Sequence, residues 1–158
     1  MLKRNRIFLS TYEAKVDEKN RISIPANYRN ILDQLGSREV YAYSSFISNC
    51  VEVCTVERIE KLHNFLEEMD MFSSKRDAIA TAVMADCEPM QIDAKGRVSL
   101  PERLVSFAKL DKKVFFVGKG NTFEIWNQDS FKEYYIKSRE EAKNSSFIPP
   151  KSHDQSSQ

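Results

Sequence analysis

The side chains best suited to chemistry in this chain lie in two short basic stretches that are nearly copies of each other. Residues 16–25 read VDEKNRISIP, and residues 92–101 read IDAKGRVSLP. An aspartate, a lysine, an arginine, a serine and a proline recur at the same places, and the three apolar positions exchange only among Val, Ile and Leu. Arginine suits bidentate contact with guanine edges, and lysine suits contact with phosphates. These stretches, called motif 1 and motif 2 below, raise the hypothesis of nucleic-acid binding.

Each motif has the pattern of a tight turn between two strands. Gly96 stands between the lysine and the arginine of motif 2, and glycine adopts positive φ without steric cost. Asn20 holds that place in motif 1, and asparagine is among the residues that most readily enter the left-handed region. The next three residues alternate apolar, polar and apolar, which is the period of a strand. The closing proline suits the first position of a helix, so each motif predicts a strand, a basic turn, a strand and a helix.

Two interpretations of the turns follow from composition alone. A projecting basic turn can enter a DNA groove or lie along a phosphate backbone, with Lys19 and Arg21 leading in motif 1. Alternatively, Asp17 pairs locally with one of these side chains and the turn is only solvated, since exposed ion pairs are common and weak. Lys95 and Arg97 offer the same side chains in motif 2, either to DNA or to a subunit interface.

The aspartates and the left-handed residues are expected to shape the turns rather than to contact a ligand. A carboxylate aimed at phosphates would oppose binding, so Asp17 and Asp93 should accept backbone or arginine hydrogen bonds that hold the turn. Asn20 and Gly96 should supply the positive φ that the turns need.

Positive charge is concentrated near motif 1, although the net charge of the whole chain is only +1. Residues 1–29 carry a net +4, residues 30–92 a net −6 and residues 93–158 a net +3. The local surface, not the total, decides whether phosphates are attracted. Further basic residues near motif 1 are predicted to add phosphate attraction, namely Lys3, Arg4, Arg6 and Lys15.

Other kinds of chemistry have little support in the sequence. The Asp-x-Lys of each motif resembles half of a metal-dependent nuclease signature, but a second carboxylate cluster is missing. Cys50, Cys54 and Cys87 form no CxxC pair, and two histidines are too few and too far apart to complete a metal site. No apolar run approaches the roughly 20 residues that span a bilayer, and the N-terminus lacks the apolar segment of a signal peptide. We therefore expect no catalysis, metal, cofactor, small-molecule substrate or membrane partner, and a cytosolic location.

The remaining elements are predicted from hydrophobic periodicity and turn signals. They are helices over 26–35, 56–71, 75–85, 102–110 and 128–143, and hairpins over 39–54 and 114–126. Ser99 with Glu102 predicts a capping box for the helix after motif 2, and Ser74 with Asp77 predicts a cap for the second connecting helix.

Paired D-x-K-[GN]-R-[IV]-S-[IL]-P motifs on a chain of this length resemble the MraZ family of bacterial transcription regulators. The segment 118–126, GKGNTFEIW, is also similar to the end of that family's second repeat. The resemblance covers about residues 7–134. The chain departs from the family pattern at Asn20, where glycine is usual, and at Ser10, where glycine is common.

The resemblance implies an α+β fold, a duplicated AbrB-type swapped-hairpin β-barrel with connecting and C-terminal helices. The segments expected on this basis are repeats at 7–54 and 83–126, a helical connector at 55–82, a C-terminal helix at 127–143 and a disordered tail at 144–158. Two interlocked halves with one core suit repeats of this size, which are near the lower limit for independent folding.

The resemblance also implies a sequence-specific regulator that binds double-stranded operator DNA, associates with the nucleoid and assembles into a ring-like homo-oligomer. Its expected target is the promoter of a division and cell-wall gene cluster that includes its own gene. One basic turn alone would bind DNA with a dissociation constant of roughly 10⁻⁴ to 10⁻⁶ M, whereas an oligomer multiplies such weak contacts. The alternative is a ring-forming scaffold for other proteins without specific DNA binding. The operator sequence, the subunit number and the contribution of motif 2 stay open.

Overall fold

The two motifs fold in the order that their sequences predict, as a turn, a short strand and a helix. The computed structural model describes residues 6–148. Its strands are β1 (Thr11–Lys15), β2 (Arg21–Ser23), β3 (Glu39–Ser44), β4 (Val51–Cys54), β5 (Glu88–Gln91), β6 (Arg97–Ser99), β7 (Lys113–Gly118) and β8 (Phe123–Asn127). Its helices are α1 (Ala26–Gln34), α2 (Val56–Glu68), α3 (Ser74–Ile79), α4 (Glu102–Phe107) and α5 (Gln128–Asn144). A π-helical turn, Ala80–Met84, continues α3, so the helix expected over 75–85 changes its winding halfway.

The bounds of the elements agree with the sequence expectations to within a few residues, and one difference has a clear local cause. Helix α2 ends at Glu68, before the expected residue 71, because the next residue is extended. The Asp70 carboxylate then accepts a hydrogen bond from the Phe72 N–H at 2.9 Å. Aspartate commonly forms such a turn with the backbone two residues on, and this turn separates α2 from α3. At the other end of the chain, Asn144 belongs to α5 rather than to the expected tail.

Both predicted helix caps, the capping box of α4 and the N-terminal cap of α3, are wrong. Helix α3 is capped by Ser73, whose Oγ accepts a hydrogen bond from the Arg76 N–H at 3.3 Å, one residue earlier than the predicted Ser74. Helix α4 has no side-chain cap, because Pro101 directly precedes it and Ser99 is already committed to strand β6. The proline that closes each motif therefore stands just before its helix instead of at the first helical position.

Two antiparallel sheets join the repeats strand by strand. The larger sheet has the strand order β1-β7-β8-β4-β3-β5, and the smaller sheet pairs β2 with β6. The hairpins β3–β4 and β7–β8 each form within one repeat. The first strand of each repeat instead pairs with the hairpin of the other, β1 with β7 and β5 with β3. The predicted α+β class is therefore confirmed, and both sheets contain strands of both repeats.

The strand pairing is approximately symmetric, with each strand pair of one repeat matched by an equivalent pair of the other. In the smaller sheet Ile22 faces Val98, and each is the central residue of a three-residue strand. In the larger sheet Glu52 faces Glu124 where the two hairpins meet. An approximate twofold axis therefore passes through these two pairs and relates motif 1 to motif 2.

One buried core is shared by the two repeats. Ile22 and Ile24 of motif 1 lie in it beside Val98 and Leu100 of motif 2, and none of the four is more than 4% exposed. Tyr28 of α1 is fully buried in the same core. Its ring contacts are with Phe8, Tyr12, Phe116 and Phe123. The strands of the motifs are thus anchored by their apolar side chains, which leaves their polar side chains on the opposite face.

The face of the larger sheet opposite this core carries two smaller apolar clusters. Helix α2 and the π-helical turn cover a cluster around Tyr43, and α5 covers a cluster around Val117 and Trp126. Glu52 and Glu124 lie side by side between the two clusters, because Tyr43 pairs with Glu52 and Val117 pairs with Glu124. Two like charges directly opposite each other on a sheet are destabilising.

The protein partly compensates this carboxylate pair. Glu124 is 5% exposed, accepts a hydrogen bond from Trp126 Nε1 at 3.0 Å and lies 3.8 Å from Lys119 Nζ. The pKa of Glu52 is raised, first by burial and then by the charge of Glu124. Burial also raises the pKa of the Cys54 thiol nearby to about 12, which leaves that cysteine protonated at neutral pH.

We predict that Glu52→Gln raises the melting temperature at pH 7, because it removes a half-buried charge that faces another carboxylate. An acid whose folded pKa is raised destabilises the fold when ionised, and this penalty is relieved as the pH falls through the folded pKa towards the unfolded one. The difference in melting temperature between the variant and the wild type should therefore shrink between pH 7 and pH ~4.5. Glu140→Gln, on the exposed part of α5, is the matched control. A variant that melts lower than wild type at pH 7 would contradict this account.

Candidate nucleic-acid interface

The turn of motif 1 is held by one carboxylate. Asp17 Oδ1 accepts hydrogen bonds from the backbone N–H of Lys19 at 2.9 Å and of Arg21 at 2.8 Å. Its second oxygen, Oδ2, accepts one from Arg21 Nε at 2.7 Å. Two backbone bonds close the turn, from Asp17 N to Arg21 O at 3.0 Å and from Asn20 N to Asp17 O at 3.1 Å. One side chain thus fixes the backbone of the turn and the direction of its arginine.

The turn of motif 2 repeats this arrangement bond for bond. Asp93 Oδ1 accepts from the N–H of Lys95 and of Arg97, and Oδ2 accepts from Arg97 Nε, all at 2.9 Å. The two closing backbone bonds recur as well, from Asp93 N to Arg97 O at 2.9 Å and from Gly96 N to Asp93 O at 3.0 Å. Two separate segments of one chain have therefore formed the same structure, which makes it a property of the motif sequence.

The aspartate of each turn orients its arginine but bonds to only one of the three guanidinium nitrogens. Only Nε of Arg21 and of Arg97 bonds to the carboxylate. Within the described residues, the two terminal nitrogens of either guanidinium have no hydrogen-bond or ion-pair partner. The Arg21 and Arg97 side chains are 32% and 26% exposed, so their stems are packed and their ends reach solvent. A guanidinium in this state can still offer a two-pronged edge to a planar acceptor pair such as guanine O6 and N7.

The same hydrogen bonds lower the pKa of both aspartates. The largest cause for Asp17 is the bond from the Arg21 backbone N–H, and for Asp93 it is the bond from the Arg97 backbone N–H. The arginine side chains and the lysine backbone N–H groups act in the same direction. The carboxylates are therefore ionised, and the turns intact, over the whole neutral range.

We predict that Asp17 and Asp93 titrate below the ordinary aspartate pKa of about 3.9. Because their folded pKa values are lowered, the stabilisation they give is present above the unfolded pKa and is lost as the pH falls through the folded pKa. Side-chain carboxyl NMR shifts followed from pH 7 to pH ~2 would measure both values. Arg21→Ala should bring the Asp17 titration back towards the ordinary value and leave that of Asp93 unchanged. Ordinary titration of both aspartates in the wild type would contradict the turn geometry.

The left-handed residue of each turn differs between the motifs, and so does what packs on it. Asn20 has φ +58° and Gly96 has φ +76°. Gly96 is buried beneath the Arg29 side chain of α1, and a Cβ at this position would lie 2.5 Å from Arg29 Cδ and 2.6 Å from one of its terminal nitrogens. Positive φ can be met by asparagine, but a side chain at position 96 would also displace Arg29 from its present place.

We predict that Gly96→Ala destabilises the fold by about 1–3 kcal/mol through backbone strain, with a further loss because Arg29 must move. Gly36→Ala is the matched control, since Gly36 also has positive φ (+68°) but a Cβ there would meet nothing within 4 Å. The difference in unfolding free energy between the two variants isolates the Arg29 contact. Equal losses in both variants would mean that Arg29 gives way without penalty.

The two turns lie at opposite ends of the smaller sheet and support each other. The Ile24 N–H donates to Gly96 O at 3.0 Å, and the Leu100 N–H donates to Asn20 O at 2.8 Å. Each turn thus receives a hydrogen bond from the strand end of the other motif. The two motifs are therefore joined by backbone hydrogen bonds at both ends of the smaller sheet.

The outer face of the smaller sheet carries only polar side chains. Ile22 and Val98 face the core, so the alternate residues of both strands share the other face. These are Arg21, Ser23, Arg97 and Ser99. The two arginines are diagonal neighbours across the strand pair. Residues at such positions are typically about 7–8 Å apart, within reach of long side chains. We call these four residues the ribbon face.

The remaining predicted basic residues surround the turns to different degrees. Lys19 and Lys95 are exposed at the two turns, and Lys15 is exposed at the end of β1 beside motif 1. Arg6 is exposed at the start of the described chain, two residues before Phe8, which forms an isolated β-bridge with Gly120. The predicted contacts of Lys3 and Arg4 lie outside the described residues.

Two further lysines join the basic group beside motif 1. Lys113 lies directly opposite Lys15 in the β1–β7 pair, 3.7 Å from the Glu13 carboxylate, and the Lys112 carbonyl accepts a hydrogen bond from Val16 N–H at 2.9 Å. The sequence interpretation left them out, because their proximity to motif 1 follows from strand pairing between the repeats. These lysines could have been predicted only if the pairing of β1 with β7 had been known.

No alternative kind of site competes with this surface in the described part of the chain. Residues 6–148 hold no group of three or more histidine, cysteine or acidic side chains that could bind a metal ion. Among the helices described, none has the length and apolar character needed to cross a membrane. The basic turns and the ribbon face are thus the arrangement that demands a functional explanation.

Comparison with known proteins points to one family. The family model described as "MraZ protein, putative antitoxin-like" matches twice, at residues 7–80 and 84–148, once for each repeat. A protein of Pelagibacter ubique (strain HTCC1062) named "Transcriptional regulator MraZ" is 40% identical over 136 residues, which cover 86% of this chain and 88% of that protein. A protein of Rickettsia africae (strain ESF-5) with the same name is 42% identical over 128 residues, 81% of this chain and 86% of the relative.

Proposed function

This chain belongs to the MraZ family, and we propose that it binds DNA in a sequence-selective way and regulates transcription. The observation that carries the proposal is the pair of identical turns, each of which holds an arginine on the ribbon face whose two terminal nitrogens have no partner among residues 6–148. The relatives named above are transcriptional regulators, so the expectation that the chain is not an enzyme is confirmed by the family.

The ribbon face suits recognition in the major groove of DNA. That groove is wide enough to admit a two-stranded β-ribbon, and its base edges carry the full donor and acceptor code. Arg21 and Arg97 would each present the terminal nitrogens of a guanidinium to a guanine, while Ser23 and Ser99 can donate or accept. Lys15, at the edge of the same region, would position the protein by contacts with phosphates.

The aspartates make this recognition possible although they are negatively charged. Each carboxylate accepts three hydrogen bonds from its own turn, which occupy most of its acceptor positions and leave little to compete for a DNA donor. Holding Nε restricts the arginine side chain before DNA arrives, which reduces the entropy lost on binding. Lys19 and Lys95 are exposed, so their ammonium groups can contact the phosphate backbone.

We further propose that the fold is a duplicated AbrB-type swapped-hairpin barrel and that several chains assemble into a ring. The exchange of β1 and β5 between the repeats supports the first part. The second part rests on energetics, since one ribbon face gives few contacts and several presented together raise the effective concentration. The proposed target is the promoter of the chain's own division and cell-wall gene cluster, at the nucleoid in the cytoplasm.

A ring-forming scaffold for other proteins is the competing hypothesis. It would use the same assembly but would not need arginines with free terminal nitrogens on a polar ribbon face. The two hypotheses differ in one measurable property, which is a preference for one DNA sequence over another.

The decisive test is a salt titration of binding to the DNA upstream of the protein's own gene, compared with a scrambled duplex of the same composition. We expect tight binding to the upstream DNA that weakens linearly in log–log form with salt. Arg21→Ala should reduce the preference for the upstream DNA by about 1–3 kcal/mol, the range for one bidentate base contact. Arg139→Ala, an exposed arginine on α5 away from both turns, should bind as the wild type does.

Thermal melting of each variant checks that the loss of binding is not a loss of folding. Equal and weak binding to both duplexes, unaffected by Arg21→Ala, would refute the proposed function and favour the scaffold. A preference for the upstream DNA that survives Arg21→Ala but disappears in Arg97→Ala would move the recognition to motif 2.

A further inference from the structure

Arg29 is a basic residue that the motifs do not contain, yet it lies on one of their turns. It belongs to α1, which follows motif 1, but its side chain covers Gly96 of motif 2. Its Nε is buried and has no hydrogen-bond partner within the described residues. Buried polar nitrogens are nearly always paired, so an unpaired one at a basic turn needs an explanation.

The carboxylates nearest to Arg29 do not neutralise it. Asp33 stands four residues further along α1, a spacing at which ion pairs commonly form on a helix, but no ion pair joins it to Arg29 within 4.0 Å. Asp93 accepts three hydrogen bonds, from Lys95 N–H, Arg97 N–H and Arg97 Nε, and forms its ion pair with Arg97 rather than with Arg29. Instead of pairing with Asp33, the guanidinium extends to the other repeat and packs on Gly96 in the turn of motif 2. The turns of motif 1 and motif 2 are called turn 1 and turn 2 below.

The space beside Arg29 is open to a ligand. A surface cavity of about 340 Å³ lies between α1 and turn 2, and Arg29, Asp93 and Gly96 are among its lining residues. Its wall at Gly96 belongs to the turn that also carries Lys95 and Arg97. The turn and the cavity wall together carry three cations, Arg29, Lys95 and Arg97, and two carboxylates, Asp33 and Asp93, of which Asp93 is paired with Arg97.

We propose that Arg29 binds a phosphate of the DNA backbone, so that turn 2 holds one strand of the duplex while Arg97 reaches the base edges. The inference rests on the proposed function, because it assigns a role within DNA binding. The guanidinium is the group of choice for phosphate, with several donors in a fixed plane. The terminal nitrogens of Arg29 would make this contact, because its buried Nε is not accessible to a DNA phosphate. Glycine at position 96 is needed because any side chain there would displace Arg29.

Motif 1 lacks this contact, which gives the inference a built-in comparison. The repeat offset of 76 residues places Val105 where Arg29 stands and Asn20 where Gly96 stands. The larger turn residue, Asn20, therefore occurs together with the short apolar helix residue Val105, and Gly96 occurs together with the long Arg29. Turn 2 is therefore assigned the stronger hold on the backbone of the DNA, although motif 1 lies in the more basic segment of the sequence.

The test is the salt dependence of binding for Arg29→Met, which keeps the length of the side chain and removes its charge. On the DNA upstream of the protein's own gene, we expect the slope of log K against log salt to fall by about one unit for each bound chain. Affinity should fall by the same factor on the scrambled duplex, so the preference between the two should not change. Arg29→Lys should keep most of the slope, and Arg139→Met on α5 should behave as the wild type.

The reverse exchange tests the inference even if Arg29→Met fails to fold. Asn20→Gly with Val105→Arg rebuilds the turn 2 arrangement at turn 1 and should increase the slope by about one unit for each bound chain. An unchanged slope in Arg29→Met, with Arg21→Ala still losing the preference, would overturn this inference and leave the proposed function standing. Loss of preference in none of the variants, including Arg21→Ala, would instead overturn the proposed function.

Discussion

Hydrogen bonding between the repeats is the interaction on which the rest of this structure depends. The larger sheet is continuous only because β1 pairs with β7, β4 with β8 and β5 with β3, and each of these pairs joins one repeat to the other. The smaller sheet consists of one strand from each motif. A repeat of about 45 residues could not bury a sufficient core alone, so its strands acquire both their hydrogen bonds and their apolar cover from the other repeat. The turns are positioned as a consequence, since each one begins where a shared strand ends.

The positive charge of each turn arginine is balanced by the aspartate of the same turn. The turn therefore fixes the direction of the donors but contributes little to the overall attraction for DNA. Each aspartate cancels much of the charge of its own arginine at long range, yet it leaves the outer edge of the guanidinium free. Such a turn attracts phosphates weakly but presents donors in a fixed direction, which favours selectivity over general attraction. Attraction then has to come from neighbouring cations, and Lys15, Lys112 and Lys113 are available beside motif 1.

The sequence was informative where the structure is local and uninformative where it is not. The turn bonds of Asp17 and Asp93 join residues no more than four apart, so residue types and spacing were enough to predict them. The elements followed from periodicity for the same reason. The caps failed because serine has several partners within reach, and in β6 the strand took precedence over the helix cap.

The contacts between repeats could not be predicted in this way. Arg29 lies on Gly96 because α1 packs against the motif that comes much later in the chain. The position of Lys113 beside Lys15 is set by the register of β1 with β7, and no pattern within either segment specifies that register. The family resemblance implied the α+β class, but these pairs are visible only in the structure.

The covalent link between the repeats has a consequence for how such a protein can change. If the same sheets were built from two separate identical subunits, any substitution in one turn would appear in both. An arginine at the place of Arg29 would then cover both turns, and both turns would need a glycine. In a single chain the two halves can change independently. Here Arg29 and Gly96 occupy the positions that Val105 and Asn20 occupy in the other half. The molecule can therefore give its two ends different tasks and still keep the symmetric framework that makes it fold.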